Sequence, residues 1–104
     1  MPDYYEYSIT ELVKMLGARF KDYRMRSYMT QKDVAEKSGI AINTIHKFEN
    51  GKVPNLSLST FLQLMKAIGS INNLDNFMPE LPESPYLIKD RGKKVQRIRH
   101  SIKQ

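Results

Sequence analysis

Cysteine is absent from this chain, which excludes disulfide staples and thiolate metal sites. No run of 18 apolar residues occurs, so nothing reads as a membrane span. The opening MPDYYEYSIT has no apolar stretch of signal-peptide type. These absences lead to the expectation of a soluble, cytoplasmic chain with no membrane partner. Glycine is sparse and scattered, at 17, 39, 51, 69 and 92, so there is no Gly-rich loop to cradle a phosphate. His46 and His100 stand 54 residues apart with no carboxylate cluster beside either, which removes metal-ligand spacing. Asp22, Asp33 and Glu36 read as helix-surface charges, and the six methionines as core filler. No strand-like period of two appears, and no internal repeat is visible. Catalysis, a metal and a cofactor are therefore not expected.

What is present is a chain long enough for one domain with modest extensions: 104 residues, 40% of them apolar and grouped at helical spacing. Its net charge of +6 is unevenly placed. Residues 1–88 hold ten Lys/Arg and ten Asp/Glu, which cancel. The last sixteen residues hold seven cations, Lys89, Arg91, Lys93, Lys94, Arg97, Arg99 and Lys103, against the single acid Asp90. Such a tail suits a polyanion, most simply nucleic acid. The alternatives are a contact with a protein partner and a merely solvated end.

Helix signals organise the rest. Residues 1–7 are acidic and rich in tyrosine, and the sequence leaves open whether Tyr4, Tyr5 and Tyr7 pack or fray. Ser8-Ile9-Thr10-Glu11 reads as a capping box. It opens a helix of about 20 residues with Leu12, Val13, Leu16, Phe20 and Tyr23 on one stripe. Arg24 and Arg26 fall near its C-terminus, where cations favour the helix dipole. Pro54 places residues 52–55 in a loop. Ser57 is positioned to cap a helix over about 58–68, with Leu58, Phe61, Leu62, Met65 and Ile68 apolar and Gly69 as its stop. Asn72 or Asn73 is positioned to cap a short fifth helix carrying Leu74, Phe77 and Met78. Ile71 and those three residues form an apolar face, either a two-fold contact or the closure of the monomer core. Pro79, Pro82 and Pro85 mark a domain edge and linker, and Ser84-Pro85 can start a further turn at 86–88.

The segment TQKDVAEKSGIAINTIHKFENG, residues 30–51, carries the most information. Thr30 is a strong N-cap. Gly39 suits the end of a helix over about 31–37, because glycine tolerates positive φ. A second short helix follows over about 42–49, with Ala41, Ile45 and Phe48 expected inward and Asn50-Gly51 closing it. Two short helices joined by a tight turn containing Gly form a helix-turn-helix, which places its second helix in the DNA major groove. With Ala41, Ile45 and Phe48 inward, a step of 100° per residue turns Asn43, His46, Lys47 and Asn50 outward. Lys donates to G O6/N7, Asn bonds adenine at N6/N7, and an apolar side chain meets a thymine methyl.

Residues 15–79 resemble the lambda repressor and Cro (XRE-type) family of DNA-binding domains. The resemblance rests on Thr30-Gln31 with Val34-Ala35, on Ser38-Gly39, and on Ile45 followed by Phe48-Glu49-Asn50-Gly51. It implies an all-α, five-helix domain with the helix-turn-helix at its second and third helices. By position it implies base reading at Ile42, Asn43 and Lys47, with His46 on the same face as a further reader or a solvated residue. Ile42 replaces the polar residue often found there, leaving a thymine-methyl contact or packing on the second helix. Phosphate contacts are implied at Gln31, Thr44 and Asn50, and Lys52 in the following loop joins them. Arg24 and Glu49 match an ion pair that ties the first helix to the end of the third. Residues 78–99, Pro-rich and then basic, are similar to the end of HipB-like antitoxins, which pair with a HipA-like kinase toxin.

The expected organisation is a DNA-binding domain with an N-terminal extension over 1–79 and a Pro-rich linker with a basic tail over 80–104. The expected function is sequence-specific regulation of transcription, as a repressor binding a palindromic operator as a homodimer. The alternative is an antitoxin that holds a toxin kinase and autoregulates its operon.

Overall fold

Local capping chemistry sets where three of the helices, those opening at Ile9, Gln31 and Leu58, begin. The structure is a computed structural model that describes residues 3–83. Among the described residues the regular structure is entirely helical: α1 (Ile9–Arg26), α2 (Gln31–Ser38), α3 (Ile42–Glu49), α4 (Leu58–Ala67) and α5 (Leu74–Phe77), with 3-10 turns at Tyr4–Glu6 and Ile71–Asn73. This is the all-α, five-helix class expected. The basic tail lies outside the described residues, as does the turn of helix expected at 86–88. The chain divides after Asn73, so α5 opens the second unit.

In the first unit, α1 starts at a reciprocal box. Ser8 Oγ accepts from the Glu11 N–H at 3.1 Å, and the Glu11 carboxylate accepts from the Ser8 N–H at 2.8 Å. These bonds hold the Glu11 carboxyl below its ordinary range. At α2, Thr30 and Asp33 form the same arrangement at 3.0 and 2.9 Å. Ser57 caps α4 through the Thr60 N–H. Gly39, Gly51 and Gly69 follow α2, α3 and α4 in the left-handed region, with φ of 76°, 72° and 76°. The N-terminal tyrosines are split: Tyr4 stacks edge-on with Tyr7 and accepts a hydrogen bond from Arg19 of α1, whereas Tyr5 is fully exposed.

The core is Phe20, Val34, Ile45, Phe48, Leu64, Ala67 and Ile68, with Val13, Met29, Ala35, Ile40, Leu56 and Phe61 packed around it. Phe48 sits at its centre, 5.7 Å from the ring of Phe20 and 6.1 Å from that of Phe61. Two faces are rotated from the sequence expectation. On α1 the buried line is Gly17, Phe20 and Arg24, while Leu16 and Tyr23 are exposed. Leu16 and Tyr23 lie roughly 80° around the helix from the centre of that line. On α4 the buried residues are Leu64 and Ala67, continued by Ile68, while Leu58 is 67% exposed. The inward face of α4 is thus turned by about one residue: its partner is α2, and Leu64 shares the core with Val34 of that helix. The 3-10 turn also takes in Asn72 and Asn73, so neither is a free, non-helical cap for α5.

Candidate nucleic-acid interface

The interface is built from the way α1 and α2 hold α3. A Cβ placed on Gly17 would overlap the carbonyl oxygen of Phe48 and stand 2.9 Å from its carbonyl carbon. Only glycine lets the backbone of α1 lie this close to the end of α3. Seven residues further along α1, Arg24 grips the same end. Its Nε donates to Glu49 Oε2 at 2.7 Å and its Nη2 to Glu49 Oε1 at 2.9 Å, while Nη1 donates to the Met29 carbonyl at 2.8 Å. The Glu49 side chain is 1% exposed, so this fork-to-fork pair is a buried one. The hydrogen bond to Glu49 raises the Arg24 pKa above its ordinary value.

α2 joins the same carboxylate. Gln31, at the first position of α2, donates from Nε2 to Glu49 Oε1 at 3.0 Å. An amide NH2 has two protons, so one remains to be given outward. Gln31 is half-buried, and its amide orientation is set by a residue of α3. Three helices therefore meet at Glu49.

With its inner face held by Ile45, Phe48 and Glu49, α3 turns the rest outward. Asn43, His46, Lys47 and Asn50 are all exposed, and Ile42 is 47% exposed. Thr44 is half-buried, and Lys52 is exposed in the loop beyond Gly51. Asn50 Nδ2 lies 3.1 Å from His46 Nε2, one helical turn earlier, and donates to it when that nitrogen carries no proton. Ala41 corrects the expectation of an inward residue. It is exposed, occupies the N-cap of α3 and supplies no side-chain cap, because a methyl group accepts no hydrogen bond. The inward face of α3 begins at Ile45.

Sequence reasoning missed Gly17, Asp33 and the Gln31–Glu49 bond. The first two had signals. A lone Gly inside a helical pattern costs about 1 kcal/mol against Ala and points to a packing reason. Asp three positions after a Thr cap can close a box. The Gln31–Glu49 bond joins residues 18 apart through tertiary packing alone and had no local signal.

No helix among the described residues is long and apolar enough to cross a membrane. No curated protein and no solved structure matches the chain. A family model described as a helix-turn-helix domain matches residues 15–70, more than half of the sequence, and the chain belongs to that family.

Proposed function

We propose that this protein is a sequence-specific, DNA-binding regulator of transcription that represses by binding a palindromic operator as a homodimer. One observation carries the reading. α3 is anchored through Phe48 and Glu49 and presents Asn43, His46, Lys47 and Asn50 outward on one face. In this reading α3 lies in the major groove, with Asn43 and Lys47 at base edges and Ile42 against a thymine methyl. His46 contributes by holding Asn50. Gln31, Thr44, Asn50 and Lys52 meet the backbone and set the docking register. The Gln31 amide is suited to this work: Glu49 orients it, and Arg24 neutralises the carboxylate that would otherwise repel phosphate. Two copies place two recognition helices about 10 bp apart on one face of the duplex.

The basic tail at 89–104 supplies affinity without sequence preference. Its removal flattens the dependence of log affinity on log salt by about 0.9 for each phosphate that the tail neutralises. A second reading rests on the resemblance of residues 78–99, Pro-rich and then basic, to the end of HipB-like antitoxins, and makes this chain an antitoxin holding a toxin kinase. The deciding experiment is footprinting of the full chain on DNA upstream of its own gene, with mass measurement of the complex. A symmetric footprint covered by two copies supports the reading; no protection, or a one-to-one complex on about 5 bp, contradicts it.

A further inference from the structure

Among the described residues, four positions adopt positive φ in the turns that follow the first four helices. Three of them are glycine, and the fourth is Tyr28, at φ 57°. It closes α1 in a Schellman arrangement: the Tyr28 N–H bonds the Met25 carbonyl at 3.0 Å, and the Met29 N–H bonds the Arg24 carbonyl at 3.3 Å. An L-residue with a large side chain is disfavoured there by the contact of its Cβ with the backbone. Nor does burial offset that strain. Tyr28 is 95% exposed, and its hydroxyl has no hydrogen-bond partner among the described residues. Strain and near-complete exposure in one aromatic residue are unfavourable for folding, which points to a use outside the fold.

Its place in the chain indicates which use. Tyr28 stands two residues before the cap of α2 and three before Gln31, the residue proposed to meet backbone phosphate. Three residues of chain reach at most about 10 Å, so the exposed Tyr28 stands within that reach of Gln31. Arg26 and Lys32, on either side, are exposed cations. A phenol hydroxyl between cations is a donor to phosphate oxygen, and its ring covers the adjoining sugar.

We infer that Tyr28 is a DNA-contacting residue whose hydroxyl donates to a backbone phosphate beside the one met by Gln31. This rests on the DNA-binding reading. The contact adds affinity and register without base preference.

The test uses duplexes that the full chain enriches from a randomised pool, with affinity, base preference and melting temperature measured together. Tyr28→Phe keeps the ring and backbone and removes only the donor. It is expected to bind every duplex about tenfold more weakly with an unchanged melting temperature. Tyr28→Gly also weakens binding, yet it relieves the backbone and raises the melting temperature by roughly 4–8 °C. A residue serving only the fold cannot give those opposite signs. Tyr28→Phe binding as tightly as the native chain overturns the inference. Lys47→Ala, run alongside, separates the two ideas. If it shifts base preference while Tyr28→Phe is neutral, DNA reading stands and the Tyr28 contact falls. If the native chain enriches no duplex, both fall.

Discussion

α2 and α3 have the same length and are stabilised in opposite ways. α2 is secured from its own ends, by the reciprocal Thr30–Asp33 box at its start and the left-handed Gly39 at its close, and it buries only Val34. α3 begins at Ala41 with no side-chain cap, and it buries Ile45, Phe48 and Glu49 among its eight residues. The first is a strut made by local chemistry. The second is a helix that exists because its neighbours hold it, and its outer face carries no share of that task. Such a face is free to vary without loss of the fold, which suits the base-reading role proposed for it.

The largest expected effect comes from releasing the grip on α3. Arg24→Ala leaves the Glu49 carboxylate buried without its counter-charge, with only the Gln31 amide still donating to it, and is expected to cost about 3–5 kcal/mol in chemical denaturation. Gly17→Ala should follow. Helix propensity alone favours Ala by about 1 kcal/mol, but the clash with the Phe48 carbonyl reverses the sign, to a loss of about 1–3 kcal/mol. Stability unchanged in both variants would show that α3 does not depend on α1.

The caps sharpen the contrast. Thr30→Ala removes an existing cap and is expected to destabilise by about 1 kcal/mol, whereas Ala41→Ser supplies a missing one and stabilises by about 0.5–1 kcal/mol. Thermal shifts of opposite sign fit α2 as locally secured and α3 as locally open. A neutral Thr30→Ala would remove that distinction.

How much of this was legible in the sequence follows the same division. Ser8, Thr30, Ser57 and the glycines after α2, α3 and α4 act within three or four residues of themselves, so their roles could be read directly. Which side of a helix faces inward was not legible where the partner helix decides it. Leu16 and Leu58 are as apolar as the residues that are buried, and Tyr23 has a large apolar ring; only the packing of α1 on α3 and of α4 on α2 selects Phe20 and Leu64 over them. Ala41 failed for a related reason: the inward periodicity of α3 starts one turn later than its apolar residues suggest. The outward set on α3 was legible because Ile45 and Phe48, both plainly apolar, already mark the inner side that Glu49 shares.

A smaller effect is expected from acid. The Thr30 backbone and hydroxyl lower the Asp33 pKa in the folded chain. A depressed carboxyl contributes stability that is present above its unfolded pKa and lost as the pH falls through the folded one. The stability difference between the native chain and Asp33→Asn should therefore be present at pH 7 and shrink as the pH drops below about 4. A difference that stayed constant with pH would mean that the charge of Asp33 is not involved.

The division of labour between the two helices is tested most directly by the base preferences of Lys47→Ala and Gln31→Ala on one randomised duplex pool. Lys47→Ala is expected to relax preference at a position, by about 1–3 kcal/mol of discrimination. Gln31→Ala should weaken binding to all sequences alike, since a phosphate contact positions the protein without naming a base. Altered preference in Gln31→Ala, with preference intact in Lys47→Ala, would contradict the assignment of α2 as strut and α3 as reader.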